Sequence, residues 1–119
     1  MTLEFLDREM SVCKYGTPVF PEGELVFTGK TDREFSLICE TANVPENWTE
    51  RDDGWTVFRI IGQLDFSLIG ILSRIAGILA DEKISVCAVS TYDTDYFLIK
   101  NENKSRAFNT LKEHGYDVI

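Results

Sequence analysis

A single histidine, His114, and three cysteines with no CxxC pair leave this sequence short of the residues that build zinc sites or acid–base machinery. Cys13, Cys39 and Cys87 are odd in number, widely spaced, and each set in an apolar, strand-like context. They read as reduced core residues of a cytoplasmic protein, with no metal and no other cofactor implied. Basic side chains are also scarce, 12 against 20 acidic ones, for a formal net charge of −8. A non-specific phosphate-backbone binder needs the opposite sign, and the aromatic pattern of an RNA-reading sheet is missing, so nucleic acid is not an expected partner. Apolar runs are short and interrupted, so neither a transmembrane helix nor a membrane partner is expected. The opening MTLEFLDREM has acidic residues and no basic segment before an apolar core, unlike a secretory signal. There is no Ser-His-Asp set, no phosphate loop, and no GxSxG or GxGxxG pattern, which argues against an enzyme.

What the sequence does hold is 44% hydrophobic residues in 119, enough for one compact domain or two small fused lobes. Residues 62–96, GQLDFSLIGILSRIAGILADEKISVCAVSTYDTDY, organise the rest. Apolar residues recur at Phe66, Ile69, Leu72, Ala76 and Leu79, and again at Leu68, Ile71, Ile75 and Ile78, both at helical spacing. Together they make a stripe wider than a single-faced amphipathic helix has. Gly70, Ser73 and Gly77 form a small-residue ridge, read either as a place for another backbone or as tolerated positions of a core helix. Asp65 or Ser67 is the expected N-cap, and the first-turn amides with the positive end of the dipole make an anion site. Residues 84–91 alternate as a strand does, and Tyr92-Asp93-Thr94-Asp95 turns into a further strand at 96–100. Helix amides on one side and carboxylates on the other suit both ends of a zwitterion, such as a free amino acid.

Along the remainder, residues 3–14 read as extended, with Leu3, Phe5, Val12 and Cys13 as core candidates. Residues 15–23 carry Gly16, Pro18, Pro21 and Gly23 and read as a loop. Strands are expected at 25–28 and 35–39, and the polar stretch 40–54 is the expected seam between two halves. Residues 55–61 form a strand with Thr56, Phe58 and Ile60 on one face. A second helix carries Ala107, Phe108 and Leu111, capped by Asn101, Asn103 or Ser105 and ended by Gly115, before a short closing strand. The second half thus follows the order βαββαβ, the ferredoxin-like plan of an antiparallel sheet with both helices on one face. In the first half, only the shared rhythm of FSLICE and ISVCAVS hints at a repeat.

These residues resemble a known family. The run 65–72, DFSLIGIL, followed by Leu79-Ala80, Ile84-Ser85 and the segment 90–96, STYDTDY, is similar to the small tandem ACT-domain proteins of bacteria. Residues 27–39, FTGKTDREFSLIC, and the strand from Trp55 to Gly62 extend the match over nearly the whole chain. The resemblance implies an α+β fold of two ACT-like units, at 1–54 with a linker and 55–119, the first one degraded. It implies a non-catalytic regulatory protein that binds an amino acid, similar to ACT units of aspartate kinases and of cytosolic arginine sensors. The matching ligand positions are Asp65, Gly70 and Ile71 on the helix side, with Thr91, Tyr92 and Asp95 facing them. Gly70 would let a ligand approach the backbone, Ile71 would offer an amide, and Thr91 a hydroxyl. Tyr92 would wall the pocket, and Asp95 would pair with an ammonium or guanidinium. Each also has an ordinary structural reading: packing for Gly70, capping for Asp65, and turn formation for Asp93 and Asp95. Asp93-Thr94-Asp95 is not a calcium loop, since the rest of an EF-hand is missing.

Two partners are implied besides the ligand: a separate regulated enzyme, because no catalytic domain is attached, and a second copy in a homodimer. The alternative reading is a protein-interaction module with no small-molecule ligand.

Overall fold

The computed structural model describes residues 1–62 and 70–119. Among these residues, seven strands and two helices follow in the order β1 (Thr2–Tyr15), β2 (Val26–Lys30), β3 (Phe35–Glu40), β4 (Trp48–Ile61), α1 (Ile71–Asp81), β5 (Cys87–Ser90), β6 (Asp95–Lys100), α2 (Lys104–Glu113) and β7 (Asp117–Val118). Single 3-10 turns at Thr41–Asn43 and Asn101–Asn103 follow β3 and β6. The chain divides into two compact units, Met1–Asp7 with Thr56–Ile119, and Arg8–Trp55. The sequence reading kept residues 1–54 together. In the structure the first seven lie with the C-terminal unit, and the two long strands β1 and β4 each contribute residues to both units.

In the unit holding both helices the strand order is β5-β6-β4-β1, with β7 parallel to β1 at its outer side. The closing strand was expected to complete a βαββαβ sheet. It instead pairs with Thr2 and Leu3 of β1, and β1 takes the place beside β4. Leu3, Phe58, Ile60, Phe97, Ile99 and Val118 form one core with Ile75 and Leu79 of α1 and Ala107 and Leu111 of α2. Phe58 and Ile60, like Phe97 and Ile99, are two apart, so they share a sheet face, and both helices cover it. Phe5, Phe58 and Phe97 stack in sequence at 4.7 and 4.8 Å between ring centroids, the spacing of adjacent strands.

Both helices end in the same way. At α1, Lys83 donates to Ala80 at 2.9 Å and Ile84 to Leu79 at 3.0 Å. At α2, Gly115 donates to Lys112 at 3.0 Å and Tyr116 to Leu111 at 3.3 Å. These are Schellman bonds, which need a left-handed residue just past the helix. Gly115 supplies it at α2 with φ 94°, as its sequence position suggests. Lys83 supplies it at α1 with φ 59°, although its Cβ disfavours that region.

The Arg8–Trp55 unit has the strand order β2-β3-β1-β4 and no α-helix. Cys13, Tyr15, Phe35, Leu37 and Cys39 make its core, with Val19, Val26 and Val44 packed on them. The residues after β1 and after β3 thus provide the cover that helices provide elsewhere, and Tyr15 fixes one of them by donating to Pro45 O at 2.6 Å. Its polar interior is paired: the Ser11 hydroxyl donates to Asp53 Oδ1 at 2.6 Å and lies 2.8 Å from the Thr41 hydroxyl. Arg8 bridges Glu40 at 2.9 Å and Glu24 at 3.2 Å. Residues 48–54, expected as part of a seam because they are polar, are the first half of β4. They are polar because most of them are exposed.

The two hairpins correspond residue by residue. In β2–β3, Phe27 pairs with Ile38, Thr28 with Leu37, Gly29 with Ser36 and Lys30 with Phe35. In β5–β6, Cys87 pairs with Leu98, Ala88 with Phe97, Val89 with Tyr96 and Ser90 with Asp95, each 60 positions further on. The 3-10 turns keep this offset, so FSLICE matches DYFLIK of β6, not the ISVCAVS segment expected from its serine rhythm.

Candidate functional site

The expected site lies in the unit with both helices, at the end of β4, the start of α1 and the turn between β5 and β6. That turn is closed twice. Thr91 donates its backbone N–H to Thr94 O at 2.8 Å, and the Thr91 hydroxyl donates to the same oxygen at 3.0 Å while accepting from the Thr94 amide at 3.3 Å. The Thr94 hydroxyl then donates to Ile60 O, 2.7 Å away, and so attaches the turn to the last residues of β4. Thr94 was not among the expected site residues. Its signal in the sequence is the Thr91–Thr94 spacing, which serves both ends of a four-residue turn.

Of the expected residues, Asp65 lies outside the described residues, as does Ser67. The N-cap position of α1 is Gly70, and no described side chain caps this end, while the capping expected of Asp65 or Ser67 lies outside the described residues. Gly70 has φ 82° and ψ 10°, and a Cβ added there would meet nothing within 4 Å. Its backbone conformation accounts for the glycine without any close approach. The first intrahelical bond runs from the Arg74 amide to Gly70 O at 2.9 Å. Ile71 opens the helix, with its side chain packed on the core. The early amides of α1 lie at the positive end of the helix dipole, which favours an anion.

Thr91 and Asp95 meet through the turn, but the Thr91 hydroxyl is engaged in building it. Tyr92 stands at the turn's tip, 85% exposed. Asp95 is the first residue of β6, partly buried, opposite Ser90, and its carboxylate makes no hydrogen bond or ion pair among the described residues. Next to it, Tyr96 and then Glu4, whose carboxylate lies 2.9 Å away, hold the Arg59 guanidinium above its ordinary pKa. Arg59 is thereby occupied.

The cysteines have their thiol pKa values pushed up by burial, Cys39 to about 11, and none of the three is disulfide-bonded. Among the described residues no group of three or more His, Cys, Asp or Glu side chains is placed to hold a metal ion. No helix among them is long and apolar enough to cross a membrane.

An ACT domain family model matches residues 50–113. A protein from Agrobacterium tumefaciens has the same fold with a TM-score of 0.89 and 24% identity, over 99% of this chain and 91% of that one. A Vibrio cholerae protein described as of unknown function and possibly in transport follows at TM-score 0.73 and 15% identity, over 94% and 88%. The ligand-free regulatory subunit of aspartate kinase from Thermus thermophilus superposes at TM-score 0.68 and 7% identity, over 93% and 95%. At these identities the likeness is one of fold. No curated protein matches the chain in sequence.

Proposed function

This chain belongs to the ACT domain family, and on that premise we propose that it is a non-catalytic sensor of a free amino acid. The observation that carries the reading is the bond from Thr94 to Ile60 O. It fixes the Asp95 carboxylate, without a side-chain partner among the described residues, beside the strand that precedes α1, and all these residues lie within the matched family segment. The ligand's carboxylate would accept from the amides at Ile71, with Gly70 turning the chain toward it, while its ammonium would meet Asp95. Asp65 and Thr91 belong to the same proposed site, and Tyr92 would wall it.

The first unit is proposed as a second, reduced ACT-like unit. Its strand order β2-β3-β1-β4 corresponds to β5-β6-β4-β1, and its hairpin keeps the 60-residue register. A homodimer and a separate regulated enzyme complete the reading. The Thermus regulatory subunit, 95% of which this chain spans, supports a regulator of this size acting on a partner.

Isothermal titration of the purified protein with free amino acids tests this. Saturable heat with one or two of them, and none with their carboxylate-methylated forms, is the expected result. Absence of saturable heat with all twenty would overturn it and leave an interaction module.

A further inference from the structure

Beside its buried residues Ala107, Thr110 and Leu111, α2 carries a row of Lys104, Phe108 and Lys112. These stand four apart and so follow one another along one side of the helix, about 6 Å between successive members. Phe108 is half-buried: the Phe5 ring lies 5.4 Å from it, and the Lys112 ammonium stands over it at 5.6 Å. A cavity of about 320 Å³ opens here, lined among the described residues by Lys104, Ser105, Phe108 and Asn109. The lining holds a cation and an aromatic ring and no carboxylate. Glu102 and Glu113, the acidic residues of this stretch, fall outside the row.

Lys104 makes no side-chain hydrogen bond or ion pair among the described residues. It also stands in the first turn of α2, which holds no acidic residue and where the helix dipole disfavours a cation. The helix itself does not account for that charge, and an anion brought from outside would offset it.

The complementary arrangement occurs at the start of β4, in the Arg8–Trp55 unit. Trp48 is 47% exposed there, with Glu46 and Glu50 on either side of it in the chain. Trp48 and Glu50 share a strand face, roughly 6.6 Å apart along it. The Thr49 hydroxyl donates to Lys14 O at 3.1 Å and ties this stretch to β1. Glu46 and Glu50 are exposed, and their carboxylates make no hydrogen bond or ion pair among the described residues. Arg51, the basic residue of this stretch, is held by Asp53 at 2.8 Å.

We propose that the α2 row of one copy receives the start of β4 of a second copy, with the Trp48 ring in the Phe108 cavity and the Glu46 and Glu50 carboxylates on Lys104 and Lys112. Cation, ring and cation then meet anion, ring and anion at nearly the same pitch. Ion pairs open to water contribute little, and the ring seated between these two keeps water from them. The net charge of −8 repels copies at long range, but at physiological salt charges more than about 8 Å apart are largely screened, so the matched patches decide. This contact rests on the homodimer proposed above and names the surfaces that form it. It shares no residue with the proposed amino-acid site.

Sedimentation velocity of the full chain at physiological salt, from micromolar to millimolar, tests this on the native protein and two double variants. Lys104→Glu with Lys112→Glu reverses one side of the contact, and Glu46→Lys with Glu50→Lys reverses the other. All four side chains are exposed, so each variant should keep the native circular-dichroism spectrum. A native dimer is expected, at least tenfold weaker in each variant alone and restored when the two variants are mixed in equal amounts. A dimer undiminished in either variant, or weakened in both without recovery on mixing, overturns this contact and leaves the homodimer to other surfaces. A native chain that stays monomeric overturns the contact and the homodimer together, while amino-acid binding is read separately by calorimetry.

Discussion

The Thr94 hydroxyl donates to the carbonyl of Ile60 at 2.7 Å, joining the turn before β6 to the end of β4. One partly buried hydrogen bond of this kind contributes about 1 kcal/mol, and more when its loss leaves an acceptor without a partner. Thr94→Val keeps the shape and removes the donor. It should lower stability by about 1–2 kcal/mol in urea unfolding and speed hydrogen exchange at the Thr91–Asp95 amides well beyond the global change.

Phe58 is the middle ring of three, between Phe5 and Phe97, and is fully buried. Phe58→Ala removes both stacks and leaves a cavity. An unfolding free energy lower by about 3–5 kcal/mol is expected by chemical denaturation. Phe20→Ala is the contrasting case. That ring is 73% exposed, and its loss should cost well under about 1 kcal/mol.

Lys83 holds the left-handed position after α1 that Gly115 holds after α2. Lys83→Gly relieves the strain and leaves both Schellman bonds in place. A gain of about 0.5–1 kcal/mol, visible as a melting temperature higher by a few degrees, is expected.

Burial pushes the Cys39 thiol from 9.0 to about 11. The folded protein therefore keeps a proton that the unfolded chain loses first. This stabilising contribution is full below pH 9 and is lost as the pH rises toward 11. It is on the order of 2 kcal/mol. Urea midpoints measured across that range should fall for the native chain and fall less for Cys39→Val.

Much of this was legible in the sequence because pattern and packing agree. The alternation at Thr56, Phe58 and Ile60 and the spacing of Ile75, Leu79, Ala107 and Leu111 are the periods of buried faces, and all seven residues are buried. What was not legible depends on pairing. Residues 48–54 are polar because they are exposed, and an exposed strand has the composition of a loop. The place of β1 beside β4 joins residues 35 to 55 positions apart, which no local pattern encodes. The shared serine rhythm of FSLICE and ISVCAVS does not mark the repeat. The repeat is carried by register, in which Leu37 and Phe97, or Cys39 and Ile99, share only their burial. At the site, the Tyr92-Asp93-Thr94-Asp95 turn was readable as polar and tight. The role of Thr94 depends on a carbonyl 34 residues earlier.

The measurement that bears most directly on the proposed sensor is thermal unfolding against each of the twenty amino acids at millimolar concentration, for the native chain and Asp95→Ala. Only preferential binding to the folded state raises the melting temperature, and saturation at about 100 times Kd contributes about 2.7 kcal/mol. One or two amino acids should raise it by several degrees, and the rise should vanish in Asp95→Ala, whose own melting without ligand stays close to that of the native chain. A flat response across all twenty in a folded native protein, or a rise undiminished in Asp95→Ala, would contradict the account.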